Sequence, residues 1–101
     1  MEAAVFQALG DPTRLAIIQR LERGMMATVP LLEGLGMSRQ AASKHLAVLE
    51  NAGIVVSKSE GRMVYRELEV ARLIEAGDWL LARKKFWQEK LDRLEAFLDN
   101  P

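Results

Sequence analysis

The stretch 37–65 constrains the fold more than any other part of the chain. It begins with Ser38, a residue type that favours the N-cap of a helix, and the helical pattern that follows ends at Gly53. Two runs of strand-forming residues come next, with Glu60-Gly61 between them as the predicted turn. The stretch therefore predicts a short capped helix that leads directly into a β-hairpin.

The two sides of the helix predicted over 38–52 differ in chemistry. Ala42, Leu46 and Leu49 follow the spacing i, i+4, i+7 and are predicted to face inward. Polar and basic residues occupy the opposite side: Arg39, Gln40, Ser43 and Lys44. The DNA major groove accepts one α-helix, and residues near the helix N-terminus are those that reach base edges. The pattern predicts a DNA recognition helix.

Three helical segments are predicted before the recognition helix. The first covers residues 1–9, and Asp11-Pro12 starts the second with an N-cap residue followed by proline at the first helical position. Residues 25–27 are interpreted as a linker. Thr28 is predicted to cap a third, short helix that ends at Gly36, so that residues 28–51 form a helix-turn-helix.

The last segment, 70–100, is predicted to be one long helix with a heptad seam. Residues recur along it at alternating steps of four and three: Leu73, Gly77, Leu80, Lys84, Trp87, Leu91, Leu94 and Leu98. We predict that segments 1–9 and 70–100 form a dimer interface through Val5, Phe6, Leu80, Trp87, Leu91, Leu94 and Leu98. An effector pocket between protomers, lined by Trp79, Phe86 and Trp87, is the alternative, although aromatic residues on such a seam are more often dimer core.

Length and charge limit the range of functions. The chain has 101 residues, which suits one domain over 1–101, and its formal net charge is zero, which argues against a general polyanion binder. Five basic and two acidic residues fall within 38–66, however, so positive charge is concentrated in the predicted recognition segment. We see neither a signal peptide nor an apolar run long enough to span a membrane, and we expect a cytoplasmic protein.

With these residues in view, the chain resembles the ArsR/SmtB family of bacterial winged-helix repressors. The resemblance runs from about Val5 to the end of the chain. It depends on four motifs: FQALGDPTR at 6–14, MSRQAASKHL at 37–46, LENAGIV at 49–55, and EGR at 60–62 followed by Tyr65. It implies a homodimer joined through the first and last helices, a recognition helix in the major groove, and a wing that touches the DNA backbone or minor groove.

The chain departs from the metal-sensing pattern of that family. It contains no cysteine, its third-helix region reads MMATVP at 25–30, and its one histidine, His45, lies on the recognition helix. Adjacent methionines make a poor metal site. We therefore expect no metal and no cofactor, and the resemblance is to a branch that does not sense metals.

Several candidate DNA contacts have an ordinary structural alternative. Ser38 is a helix cap that also touches phosphate in the family pattern, and His45 is either a hydrogen-bonded, half-buried residue or a DNA contact. Lys58, Arg62 and Arg66 could all be surface charges that protect a hairpin edge. For Lys58 and Arg62, which bracket the wing tip, we favour contact with the DNA backbone or minor groove, whereas the edge role fits Arg66. Arg14 would contact the DNA backbone or pair with Asp11 or Glu2.

The sequence thus predicts a mainly α fold with a β-hairpin wing, a winged helix-turn-helix in the order α-α-α-α-β-β-α. The predicted function is a homodimeric regulator, a repressor by the family pattern, that binds an inverted-repeat operator in double-stranded DNA through helix 38–52 and wing 54–68. The alternative is a winged-helix module for protein interaction that does not bind DNA. No catalytic residue set is recognisable, so no enzyme is expected, and the sequence names neither the operator nor a small-molecule effector.

Overall fold

The computed structural model describes residues 3–100 and contains five helices and three strands within that range. In chain order these are α1 (Ala3–Leu9), α2 (Pro12–Leu21), β1 (Met26–Ala27), α3 (Thr28–Leu32), α4 (Arg39–Asn51), β2 (Val55–Glu60), β3 (Met63–Leu68) and α5 (Val70–Asp99). The predicted order is confirmed, with one strand added. Residues 1, 2 and 101 of the proposed domain lie outside the described part, and the first two of them belong to the predicted first helix.

Two of the predicted helix caps form and one does not. The Asp11 carboxylate accepts hydrogen bonds from the backbone N–H groups of Thr13 and Arg14, at 2.9 and 3.1 Å, as expected for an N-cap before Pro12. The prediction for Thr28 was wrong: Ala27 is the N-cap of α3, and no side chain caps this helix. The α3 helix also ends at Leu32, well before Gly36.

The connection from α4 to β2 is a Schellman motif built around Gly53. Ile54 N–H donates to the Leu49 carbonyl and Gly53 N–H donates to the Glu50 carbonyl, both at 3.0 Å. Gly53 has a φ of +76°, the left-handed conformation that glycine adopts without strain. The predicted C-terminal glycine is therefore confirmed, and it fixes the angle at which the chain leaves the recognition helix for the wing.

The wing is part of a three-stranded antiparallel sheet in the order β1-β3-β2. Interpreting 25–27 as a linker was wrong, because Met26 and Ala27 pair with Arg66 and Tyr65 of β3. A strand of two residues is too short to show a periodic pattern in the sequence. The hairpin turn also lies one residue later than predicted, at Gly61-Arg62.

One hydrophobic core joins the first four helices to the base of the sheet. Its largest fully buried side chains come from α2, α3, α4 and the start of the wing: Ile17, Leu31, Leu49, Ile54 and Val55. Val5 belongs to the same core, with only 2% of its surface exposed. The core thus holds the helix-turn-helix and the wing base as one body.

Helix α5 extends away from this body. Ala76 is its one buried residue among those described, and every described residue from Asp78 onward is exposed. The radius of gyration is 18.5 Å, compared with about 13 Å for a compact domain of this length. No helix within residues 3–100 combines the length and the apolar character needed to cross a membrane.

Candidate nucleic-acid interface

The N-terminal half of α4 presents the predicted polar face to solvent. Ser38 is its N-cap, and the Ser38 hydroxyl accepts a hydrogen bond of 3.1 Å from the Ala41 N–H, which confirms the capping role. Ala42, Leu46 and Leu49 are buried on the inner side, as the spacing predicted. The outer side chains are all exposed: Ser38, Arg39, Gln40, Ser43 and Lys44. The recognition helix is therefore held firmly on one side and open on the other.

The two wing cations that were predicted to touch DNA are both exposed. Arg62 occupies the second position of the two-residue turn, after Gly61, whose φ is +61°. A glycine with positive φ at the first turn position suits a tight hairpin loop. Lys58 lies further back on β2, where its Nζ is 3.1 Å from Oε2 of Glu67 on β3. Arg62 thus lies at the wing tip. Lys58 lies on β2 and is paired with Glu67, which is close to the base of the wing.

Arg66 does not behave as an edge-protecting surface charge. Its guanidinium forms an ion pair with Glu50 of the recognition helix and donates to the Ser57 hydroxyl of β2 at 2.9 Å. The Arg66 Nε also donates to the Thr28 hydroxyl at the start of α3, at 3.2 Å. One half-buried side chain therefore ties the recognition helix, both long strands of the wing and α3 together.

Strand alternation was the sequence signal that could have revealed this role. Arg66 and Leu68 are two residues apart on β3, so they share a face of the sheet, and Leu68 packs against the core. Arg66 therefore points toward the body, whereas its neighbour Glu67 lies on the other face. The positive charge of Arg66 is matched by Glu50 and belongs to the scaffold of the site.

His45 is also engaged inside the protein. The Arg14 Nη1 lies 3.1 Å from His45 Nδ1, and because a guanidinium can only donate, Nδ1 is the acceptor in this contact. Asp11 Oδ2 is 3.6 Å from the same nitrogen, too far for a hydrogen bond, and would pair with His45 only when the ring is protonated. The histidine thus joins α4 to the N-terminus of α2.

Arg14 extends this connection to α1. It donates from Nε to the Ala8 carbonyl at 2.7 Å and from Nη2 to the Gln7 carbonyl at 3.0 Å, which satisfies carbonyls at the end of that helix. Neither sequence-based alternative for Arg14 describes these contacts, and Glu2 lies outside the described residues. Arg14 and His45 together fix the recognition helix against the first two helices.

The Asp11 carboxyl at this junction is electrostatically tuned. Partial burial acts to raise the pKa of Asp11, but the Arg14 and Thr13 N–H donors, the charge of Arg14 and the charge that His45 carries when it is protonated outweigh it. The pKa of Asp11 is therefore below its ordinary value. Ionised Asp11 favours the folded arrangement at the start of α2.

The predicted dimer surface is mostly exposed in the single chain. Its α5 members are all more than half exposed, with Trp87 at 60%: Leu80, Trp87, Leu91, Leu94 and Leu98. Phe6 of α1 packs on Trp79 of α5 with ring centroids 5.4 Å apart, which links the two terminal helices. Val5 is buried in the core of its own chain, so we do not include it in the surface offered to a partner.

A second apolar stripe runs along α5 beside the seam. Trp79, Phe86 and Phe97 are exposed and lie roughly 100° around the helix from Leu80 and Leu98, by the helical repeat. Trp87, predicted as a seam residue, packs edge-on against Phe86 with ring centroids 5.4 Å apart. Within residues 3–100, no group of three or more His, Cys, Asp or Glu side chains gathers where it could hold a metal ion.

Comparison with known proteins gives consistent matches. A helix-turn-helix domain family matches residues 9–58. The transcriptional repressor SdpR of Bacillus subtilis is 31% identical over 77 residues, which cover 76% of this chain and 86% of SdpR. The matched part spans between 58% and 86% of the length of the curated relatives, less than two thirds for several of them.

Solved structures match the fold over most of the chain. An ArsR-like transcriptional regulator from Rhodococcus sp. RHA1 superposes with a TM-score of 0.78 at 33% identity, covering 94% of this chain and 90% of that one. The homodimeric winged helix-turn-helix DNA-binding domain of Mb0332 from Mycobacterium bovis gives a TM-score of 0.63 at 28% identity, covering 83% and 80%. The first of these structures matches α5 as well as the body.

Proposed function

Because the chain belongs to the ArsR/SmtB family of winged helix-turn-helix transcriptional regulators, we propose that it is a homodimeric repressor that binds an inverted-repeat DNA operator. One observation carries the proposal: a capped helix in a helix-turn-helix exposes a polar, basic N-terminal face beside a wing with a cationic tip. Family membership favours this function over a protein-interaction module without DNA binding. No catalytic step forms part of the proposal, and such a regulator would work in the cytoplasm.

Base reading is proposed for the first turns of α4. Arg39 has the donor geometry for guanine O6 and N7, and Gln40 can pair with adenine N6 and N7. Ser43 and Lys44 lie one turn further along, where they can reach a base or a phosphate. Ser38 keeps its cap bond and is proposed to lie in contact with a DNA phosphate. For His45, the contacts with Arg14 favour a role in orienting the recognition helix over a contact with DNA.

Backbone contacts are proposed for the wing cations. Arg62 at the turn and Lys58 on β2 extend the basic surface beyond the helix, and neutralising phosphates with such side chains releases counterions. These contacts would supply affinity and register, whereas α4 would supply sequence preference. Repression would follow from occupancy of promoter DNA.

Pairing of protomers is proposed through the α5 seam and Phe6. The exposed apolar side chains of α5 need a partner, and one of the similar structures, the domain of Mb0332, is described as homodimeric. A two-fold pair would present two recognition helices to successive major grooves, so the half-sites should lie about one DNA turn apart, or a small multiple of it.

The test combines solution mass with DNA selection. Size-exclusion chromatography with light scattering should give the mass of two chains, and selection from random DNA should return an inverted repeat. Binding of that DNA should weaken steeply with salt. A monomer at working concentration, or selected DNA without two-fold symmetry, would contradict the proposal.

A further inference from the structure

A cleft at the base of the wing is separate from the proposed DNA-binding face. It has a volume of about 410 Å³ and lies where α2 ends, β1 begins, β3 ends and α5 starts. Its walls are mainly apolar, formed by Leu21, Met25, Leu68, Val70 and Leu73. A cleft of this size and lining suits a small organic molecule. We call it the wing-base cleft.

The polar groups of the wing-base cleft carry one sign of charge. Glu22 and Glu67 line it, and no basic residue does so among the described lining residues. An apolar cleft with carboxylates at its rim complements a ligand that joins an apolar body to a positive charge. We propose that the wing-base cleft binds a small organic cation of this kind, such as a quaternary ammonium compound with an aromatic or alkyl group.

Glu67 connects this cleft to the wing. Its carboxylate pairs with Lys58 at 3.1 Å, and Lys58 is one of the proposed phosphate contacts, so the next step depends on the proposed function. A cation bound near Glu67 competes with Lys58 for the carboxylate and leaves the lysine free to reach phosphate. DNA in turn draws Lys58 away from Glu67 and leaves the carboxylate to the cation.

The two ligands therefore favour each other, because coupling between two binding sites is reciprocal. The cation acts as a corepressor in this arrangement. The Lys58 and Glu67 side chains are 55% and 38% exposed, so their pair is screened by water and the coupling is small. We expect each bound cation to tighten operator binding by about two- to five-fold, the range of one exposed ion pair, and a dimer holds two such sites.

The first experiment measures binding to the protein without DNA. Benzyltrimethylammonium is the probe, benzylsulfonate is the matched anion, and binding is followed by calorimetry and by chemical-shift changes in the ¹⁵N-labelled full chain. The cation should bind with shifts centred on Met25, Leu68 and Val70, and the anion should not. Equal binding of both probes, or shifts centred elsewhere, would overturn the site.

Variants test the cleft and its charge separately. Val70→Trp should fill the cleft and abolish binding without unfolding the protein, because Val70 is 53% exposed. Glu67→Gln should weaken cation binding by up to about five-fold. Glu89→Gln, on the exposed part of α5, removes the same charge far from the cleft and should change nothing. Undiminished binding to folded Val70→Trp would overturn the site.

The second experiment measures the coupling. Operator affinity is determined by fluorescence anisotropy on the tightest selected DNA, with and without the probe, for the wild type, Glu67→Gln, Lys58→Gln and the double variant. Glu67→Gln should tighten operator binding when Lys58 is present but not in the Lys58→Gln background. The increase in operator affinity caused by the probe should vanish in both single variants. An equal gain in both backgrounds would show general electrostatics and overturn the coupling.

The two experiments test the cation site and the proposed DNA-binding function separately. If no DNA is selected, the proposed function fails, and the binding experiment still decides whether the cleft holds cations. If the cation binds but leaves operator affinity unchanged or lowers it, the corepressor role is overturned while the DNA-binding function stands.

Discussion

The globular body and the extended part of α5 use apolar residues in opposite ways. In the body, Leu31, Leu49 and Ile54 are fully buried within one chain. Along α5, Trp87, Leu91 and Leu98 are as large but stay exposed. Burial of apolar surface therefore stabilises the body within a single protomer, whereas most of the apolar surface of α5 contributes to stability only when a second surface covers it. Changes in the two regions should differ in their dependence on protein concentration.

The largest expected effect comes from Leu91→Glu. A carboxylate at the centre of the seam would be buried without a partner in the dimer but would be harmless on an exposed helix. The variant should be a folded monomer, and operator affinity should fall about 10²- to 10⁴-fold because the two half-sites are no longer bound together. Light scattering and anisotropy measure the two results.

The matched control for Leu91→Glu is Ala82→Glu. Ala82 is exposed on the side of α5 opposite the seam, so the same added charge should leave both the mass and the affinity unchanged. A Leu91→Glu protein that stays dimeric would show that the seam is not the interface.

The counterpart in the body is Leu49→Ala. Removing a fully buried leucine leaves a cavity beneath the recognition helix and should lower the free energy of unfolding by about 2–5 kcal/mol. Urea denaturation at two protein concentrations should show the same loss at both, because the cavity lies within one chain. A loss confined to low concentration would place Leu49 in the energetics of the dimer instead.

Arg66 and Arg62 lie in the same hairpin, but Arg66 contacts the body of its own chain whereas Arg62 is exposed. Arg66→Met should leave Glu50 unpaired and lower the free energy of unfolding by about 1–3 kcal/mol, less than for a fully buried pair because both side chains are partly exposed. Its effect on DNA binding should come through misplacement of the wing, with the salt dependence unchanged. Arg62→Met should leave stability unchanged and reduce the slope of log affinity against log salt by about 1.8, because each of the two protomers loses one phosphate contact.

These two variants distinguish positioning from contact. Urea denaturation and anisotropy across a salt series give both readouts on the same samples. A reduced salt slope in Arg66→Met would mean that this arginine reaches phosphate, and a stability loss in Arg62→Met would mean that the wing tip contributes to the fold.

Arg39→Ala should affect specificity and nothing else in the body. The side chain is exposed and the N-cap at Ser38 is unaffected, so stability should stay constant. If Arg39 reads guanine, the preference for the selected operator over a copy with that base replaced should shrink by about 1–3 kcal/mol. Competition anisotropy with the two DNAs measures this difference, and an equal loss on both would assign Arg39 to the backbone.

Local signals in the sequence were sufficient for most of the fold. Asp11, Ser38 and Gly53 act on groups within a few residues of themselves, so their caps could be predicted from residue type and spacing. The outward face of α4 followed from the helical period in the same way. Comparison with known proteins confirms the family resemblance that these motifs suggested.

Contacts between distant residues could not be predicted in this way. Arg66 finds Glu50 16 residues away and Thr28 38 residues away, and this second contact uses the hydroxyl that was expected to cap α3. His45 reaches Arg14 across 31 residues. Such pairs depend on how the helices pack, which the periodicity of a single element does not determine.

The smallest expected effect is the acid sensitivity of the junction that seats the recognition helix. Asn is as good an N-cap as Asp, so Asp11→Asn should keep the cap bonds while removing the charge that faces Arg14 and His45. The pKa of Asp11 is lowered by folding, so the stability it contributes is present above the unfolded value of about 3.9 and is lost as pH falls through the lower folded value. The wild type should therefore be the more stable protein from neutral pH to about pH 5, and the difference should shrink below about pH 4.

Urea midpoints at fixed protein concentration across this pH range measure the difference in stability between wild type and Asp11→Asn, with Glu60→Gln at the wing tip as the control for charge alone. A difference that persisted or grew below about pH 4 would mean that the Asp11 charge does not stabilise the junction.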